Sequence, residues 1–456
     1  MVGGSNTMPV GVRSVAGTVT LVVIGMLTML LLLAAVAPVR RAAPSLAWAT
    51  LSSNIRFAGP QDLRALRDIT LVEPFGFEPA LLTAKAQTAR LAAAARLAQL
   101  ATRENAFIPL RYAEGVYWAR VCLEDNKCAQ AVVDTGSSNL VISTTTCMGC
   151  DHTKGNIHLP PQHLIVDTDR ELHFGSQTVV ADIALVRITL AGHDLDDAVN
   201  GALLHNADAA LQQAQTAQTA LAVQTAAGAA AVFATKRMTG DTAANVLGLA
   251  PSPSSSPRSM LETLHTDGAP QEFGIMLGGG GGVWVPGPPP TSALAPRDRI
   301  VHVPIVRPPW LQNQPSLFYM TPLLDVLVGP TPASMRSVLT SLTAPRNMFL
   351  MLDTGSTMTY TSAGLQGPIL AAKAASGAAH PCLALVLPNN VFLLLTPATY
   401  MLDTATSSID LHEPFVDELL RCDGVLLGCI AMRGLYIHHD ATRQRLGFAA
   451  LHRSFA

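Results

Sequence analysis

Two short stretches of this chain carry the same four residues: "VVDTGSSNLV" at 132 to 141 and "MLDTGSTMTY" at 351 to 360. One Asp-Thr-Gly on its own is a common turn, equally at home in a calcium loop, a phosphorylation site or a plain hairpin. Two copies are harder to set aside. Each follows an apolar pair, Val132-Val133 or Met351-Leu352, and each is answered downstream by an apolar run ending in glycine, "ANVLGLA" at 244 to 250 and "DGVLLGCIA" at 423 to 431. If folding brings Asp134 and Asp353 together, the two carboxyl groups contend for one proton, and the pair can serve as general base and general acid.

The segments that must position these residues read as strands. From Phe107 onward, short apolar runs with Val, Ile, Thr and aromatics are punctuated by Gly, Pro, Asn and Asp, as in "GVYWARVCLEDNKCAQAVVDTGSSNLVIS", which is the pattern of an all-β region. An Ala/Gln/Thr-rich stretch from Ala207 to Ala231 interrupts it and reads as an inserted helix or surface excursion. The run "GGGGGVWVPGPPPTSALAP" at 278 to 296 reads as a strand followed by a proline-rich connection between two lobes. The second half then repeats the style of the first and closes on "GLYIHHDATRQRLGFAA". The expected organisation is a tail at 1–16, an apolar segment at 17–39, a stem or pro-segment at 40–105, a first lobe at 106–297 and a second at 298–456.

Bulk composition narrows the partners. The chain has 456 residues, with 30 Lys or Arg against 32 Asp or Glu, so it advertises no broad electrostatic surface for nucleic acid. Its mean hydropathy of +0.31 is high, but alanine runs account for much of it. Residues 17–37, "GTVTLVVIGMLTMLLLLAAVA", are different: as a helix they would span about 31 Å, enough to cross a bilayer. The segment reads as an uncleaved signal-anchor or, because "AVA" at 35 to 37 is an A-x-A-type site, as a cleaved signal peptide that would leave a secreted body. Residues 40–105 carry nine Lys or Arg against five Asp or Glu, and Ala84 to Arg103 reads as a cationic helix.

Seven cysteines are present. Cys122 and Cys128 flank the turn-like "LEDNK", and Cys147 and Cys150 are close enough to close a small loop. Cys147-x-x-Cys150 with His152 could alternatively be half of a zinc site, although no second such cysteine pair appears. Disulfides imply a lumenal or extracellular body. His438-His439 reads as a strand pair facing opposite sides, with no partner cluster nearby.

On these motifs the chain resembles the pepsin-like aspartic proteases, over roughly Phe107 to Ala450. The resemblance implies an all-β, bilobal acid protease fold with pseudo-twofold related lobes and minor helices, here behind an N-terminal transmembrane helix. It also implies one active site to which each lobe brings one catalytic aspartate, Asp134 and Asp353. Two ionised carboxylates about 3.5 Å apart repel by roughly 4 to 5 kcal/mol at an effective dielectric near 20, so one stays protonated. The ionised member takes a proton from water as the water attacks the peptide carbonyl, and the other donates to the carbonyl oxygen. By the same resemblance Thr135 and Thr354 cross-bond the two loops, Ser137 and Ser356 hold the outer carboxylate oxygens, and Gly136 and Gly355 let backbone amides approach.

"LHFGSQTVVADIALVRITLAG" at 172 to 192 resembles the family's flap hairpin and the strand after it, with Phe174 and Gly175 at the working edge. The segment around "HPCLALVLPNNVFLLLTPATYML" resembles the family's C-lobe disulfide region and implies that Cys382 pairs with Cys422. Three positions depart from the family: Phe174 stands where it usually has Tyr, Val141 where it has Trp, and Cys429 where it commonly has Asp or Asn. The expected activity is endoproteolysis of polypeptides by a monomer at acidic pH, without metal or cofactor. The competing expectation is a protease-fold binding or inhibitor protein with weak or lost catalysis. The chain has no H-E-x-x-H, G-x-S-x-G or Walker lysine motif.

Overall fold

Strand dominates the computed structural model of the chain, which describes residues 70–72, 108–123, 128–157, 164–174, 177–186, 188–191, 223–224, 230–239, 245–251, 259–264, 271–278, 281–287, 300–308, 318–339, 347–401, 409–410 and 423–451. Among them 61% are strand and 14% helix, and all fall within one unit, Leu63–Ala456. The expected apolar segment 17–39, the Ala84–Arg103 helix, Gly175 and Cys422 lie outside the described residues. Among the described residues no helix is long and apolar enough to cross a membrane.

The described strands form three sheets, one of fifteen strands and two of five. In the largest, Cys128–Asp134 lies between the antiparallel strand Val116–Leu123 and the parallel strand Asn245–Gly248. In one of the smaller sheets, Met348–Asp353 lies between the antiparallel strand Met320–Leu323 and the parallel strand Gly424–Gly428. Every residue of Met348–Asp353 is buried, which is why the segment reads as an unbroken apolar run instead of an alternating one. Val133, Leu140, Leu247, Leu350, Leu352 and Leu427 share one apolar core, so the two Asp-Thr-Gly-Ser segments are packed into a common interior.

The fifteen-stranded sheet crosses the expected 297/298 boundary. Glu272–Gly278 pairs antiparallel with Leu435–Asp440, which pairs with Arg445–Ala450 and through it with Val301–Pro304. The stretch expected as a helix or excursion at Ala207–Ala231 is strand where it is described: Val223–Gln224 pairs with Ile188–Ala191, and Ala231 belongs to Ala230–Thr239, which lies between Leu140–Met148 and Gln177–Val186. The β-branched and aromatic run that follows the stretch, "VFAT" at 232 to 235, is buried inside the sheet.

Within the expected stem or pro-segment, Thr70–Val72 is a strand paired in parallel with Val391–Leu393. It edges a five-stranded sheet whose next strands are Val391–Leu395, Cys382–Leu387 and Asp325–Gly329. The longest described helix, Ala363–Ser376, starts after Ser362 and ends on Gly377 at φ +68°, the left-handed conformation that glycine adopts without strain. It buries Leu365 and Ile369, one turn apart on one face.

Candidate active site

Asp134 is the last residue of its strand, and so is Asp353. Each strand runs parallel to a short apolar neighbour in the same register. Val132, Val133 and Asp134 face Val246, Leu247 and Gly248, while Met351, Leu352 and Asp353 face Leu426, Leu427 and Gly428. The glycine opposite each aspartate is needed because the chain after the aspartate folds back over it. A Cβ on Gly248 would lie 2.7 Å from the carbonyl oxygens of Ser137 and Asn139. The returning loops are then fixed by backbone bonds: Leu249 N–H donates to Asp134 O and Ala250 N–H to Ser137 O, both at 2.8 Å, and Cys429 N–H donates to Ser356 O at 2.8 Å.

Across the repeat the contacts are reciprocal. Thr135 N–H donates to Thr354 Oγ1 and Thr354 N–H donates to Thr135 Oγ1, each at 3.0 Å. The two hydroxyls pass their own hydrogens on, Thr135 Oγ1 to Leu352 O at 3.1 Å and Thr354 Oγ1 to Val133 O at 2.7 Å. Both threonines are buried, so every donor and acceptor of this four-bond ring is satisfied away from water.

The carboxylates are held in matching ways. Gly136 N–H donates to Asp134 Oδ1 at 2.7 Å and Gly355 N–H to Asp353 Oδ1 at 2.9 Å. Ser137 Oγ donates to Asp134 Oδ2 at 2.5 Å and Ser356 Oγ to Asp353 Oδ2 at 2.6 Å. The two carboxyl groups lie side by side, since one Cβ placed on Gly136 would stand 2.7 Å from Asp353 Oδ1 and 3.1 Å from Asp134 Oδ1. A Cβ on Gly136 would stand 2.7 Å from Asp353 Oδ1, and one on Gly355 2.6 Å from Asp134 Oδ1, so neither position has room for a side chain. Burial, followed by the charge of Asp353, holds the Asp134 carboxyl well above the usual carboxylate range, against the opposing pull of the Ser137 and Gly136 hydrogen bonds. Two carboxyl groups placed this close can serve together as an acid and a base towards a bound water.

No protein-family model matches the chain, and no curated protein sequence matches it.

Tyr319, which the motifs do not reveal, links the two copies. Its carbonyl accepts from Leu352 N–H at 3.1 Å, one residue before Asp353, and its buried hydroxyl donates to Leu249 O at 2.9 Å, one residue after Gly248. Its only signal in the sequence is an aromatic residue in the apolar "SLFYMTPLL", and its role depends on tertiary contact. Cys429 is a buried thiol that donates to Gly115 O at 3.1 Å. Burial raises it to about 12. Gly115, at φ +85°, turns the chain where a Cβ would meet the Thr357 side chain at 2.8 Å, so the turn between Ile108–Ala113 and Val116–Leu123 rests on the Asp353 loop.

The remaining candidates divide. Cys122–Cys128 and Cys147–Cys150 are disulfides, and His152 Nδ1 pairs with Asn156 Nδ2 at 2.8 Å, which removes the alternative of a half zinc site there. The hairpin of Leu164–Phe174 and Gln177–Val186 is present, and its last pair is Phe174 with Gln177. Its first arm begins at Leu164, earlier than the expected 172 because the ladder continues past two irregularities in register. The turn residue Gly175 lies outside the described residues. Val141 is buried and packs with Val179, Ile183 and Phe233. Cys382 is buried, and its expected partner Cys422 is outside the described residues. His438 and His439 do face opposite ways. The expectation that they lack a partner cluster needs correction, because His438 Nε2 lies 3.3 Å from Glu272 Oε2, on a strand that sequence spacing alone does not bring alongside.

Proposed function

We propose that the chain is a pepsin-like aspartic endopeptidase of bilobal fold, which cuts extended polypeptides at a water held between Asp134 and Asp353. The observation that carries this reading is the reciprocal framework around the two carboxyl groups. Each is gripped at one oxygen by a glycine amide and at the other by a serine hydroxyl, with the threonine ring locking the loops together. Such a frame fixes two acids close enough to share a proton, and leaves one carboxylate to deprotonate water while its neighbour protonates the carbonyl oxygen of the peptide. No covalent intermediate is needed.

The hairpin ending at Phe174 would cover the substrate by apolar contact. The apolar segment 17–37 would tether a lumenal or extracellular monomer to the membrane, or be cleaved to release it, and the two disulfides suit an oxidising compartment. Residues 40–105 would act as a pro-segment or stem.

The test is hydrolysis of denatured haemoglobin or casein at acidic pH, with and without pepstatin, beside an Asp353→Asn control. Cleavage that pepstatin blocks and the control lacks is expected; cleavage that persists in the control discards the assignment of the pair. A second reading, a protease-fold binding protein with weak catalysis, is favoured by Phe174, Val141 and Cys429, which replace polar groups of the family. Under it, peptide binding would survive with no turnover at any pH.

A further inference from the structure

The pairing of Glu272–Gly278 with Leu435–Asp440 sets Glu272 directly opposite Asp440, with His438 opposite Gly274 two residues along the same face. Two carboxylates opposed on neighbouring strands repel. Their side chains are also out of water: Asp440 is 0% exposed, His438 2% and Glu272 9%. Two buried carboxyl groups set side by side in this way make a place that a cation can occupy.

Arg443 Nη1 partly supplies one, at 3.1 Å from Asp440 Oδ2 and 3.6 Å from Glu272 Oε2. It leaves the histidine unanswered. His438 Nε2 stands 3.3 Å from Glu272 Oε2, yet neither of its buried ring nitrogens has a hydrogen-bond partner. His302 faces His438 edge to face at 5.8 Å across Gly447, which lies between them in the sheet, and its buried Nε2 is likewise unpartnered. At His438, unlike His439, the unpartnered nitrogen lies beside two buried carboxyl groups, so it is free to donate its lone pair to a cation held there.

We infer that Glu272, His438 and Asp440 form a binding site for a divalent zinc ion, seated where the Arg443 guanidinium now bridges the two carboxylates. One ligand atom from each of the three lies within 4.8 Å of the others, close enough to converge on a single ion with small side-chain movements. An imidazole nitrogen with two carboxylate oxygens is a donor set that zinc accepts, and His302, its ring 5.8 Å from that of His438, offers a further donor. Arg443 can leave cheaply, because its side chain is 54% exposed. Arg445 Nε at 2.8 Å from Asp440 Oδ2 and the Arg443 backbone N–H at 2.8 Å from Oδ1 would stay as outer partners that orient the ligand. The ion would pin together two strands that follow the first and the second Asp-Thr-Gly-Ser. The inference does not depend on the reading of Asp134 and Asp353.

The test is calorimetric titration of the metal-free, full-length chain with zinc chloride at neutral pH, beside Glu272→Gln, His438→Gln and Arg443→Gln variants. One saturable equivalent is expected, weakened at least a hundredfold by Glu272→Gln or His438→Gln and tightened about tenfold by Arg443→Gln, which removes the competing cation. Thermal melts identify any variant that fails to fold. If His438→Gln does, the isosteric Glu272→Gln carries the comparison. Absence of saturable binding to the unsubstituted chain, or equal binding by Glu272→Gln, overturns the inference.

Discussion

Thr135 and Thr354 each give a backbone hydrogen to the other's hydroxyl at 3.0 Å, so each copy of Asp-Thr-Gly-Ser is held by the residue that follows the opposite aspartate. Removing one hydroxyl strands a buried amide in the partner loop and a buried carbonyl two residues before the opposite threonine. Thr135→Ala should therefore lower stability by about 1–3 kcal/mol, and Thr135→Ser, which keeps the oxygen, by far less. Denaturant unfolding of the two variants measures the difference. The alanine variant should also lose turnover at pH values where it is still fully folded.

The carboxyl pair sets a pH dependence of known sign. Asp134 is held above its unfolded value, so the folded state binds the extra proton more tightly, and the stability this contributes is complete below the unfolded pKa and lost as pH rises through the folded one. Asp134→Asn should match the unsubstituted chain in acid and become progressively more stable than it as pH rises, while peptide hydrolysis falls by 10²- to 10⁴-fold. Melting curves from pH 3 to 7 would show the crossover. Parallel curves across that range would mean that burial and Asp353 do not raise the Asp134 carboxyl.

Gly136 offers a steric test that leaves all charges in place. A methyl group there meets Asp353 Oδ1 at 2.7 Å and Asp134 Oδ1 at 3.1 Å. Gly136→Ala should push the carboxyl groups apart and cut turnover at least a hundredfold with a cooperative melt retained. Steady-state hydrolysis beside calorimetry checks both halves of that expectation.

Asp325 provides a second proton-linked contribution, away from the pair. Burial lifts it from 3.8 to about 6, against hydrogen bonds from Ser337, Val326 N–H and Leu339 N–H. Because its folded pKa is raised, stability should decline as pH climbs from 3.8 to about 6, by on the order of 3 kcal/mol. Asp325→Asn should flatten that part of the profile, as read from unfolding free energies at fixed pH steps.

What was legible in the sequence is what local chemistry dictates. Asp-Thr-Gly-Ser and the apolar-apolar-Gly runs are specific because a loop that folds back on a carboxylate tolerates few other residues, and each of the eight residues of the two tetrads takes part in matching hydrogen bonds. The disulfides at Cys122–Cys128 and Cys147–Cys150 followed from short spacing. Tyr319 and the Glu272, His438 and Asp440 cluster stayed hidden because their roles arise from register between distant strands, which no short window encodes. The helix Ala363–Ser376 was only partly hidden. Ser362 and Gly377 mark its ends, but Gly367 and Pro368 within it disguise the pattern. Of Ala207–Ala231 only Val223, Gln224, Ala230 and Ala231 are described, and all four are strand.

The ladder between Glu272–Gly278 and Leu435–Asp440 has a consequence for synthesis. As the chain leaves the ribosome, the first Asp-Thr-Gly-Ser emerges long before the strand that closes the sheet around its half of the molecule. An early-made segment rich in unpaired strand edges must therefore wait for the last strands to arrive, and in that interval a chaperone would find the exposed edges to hold.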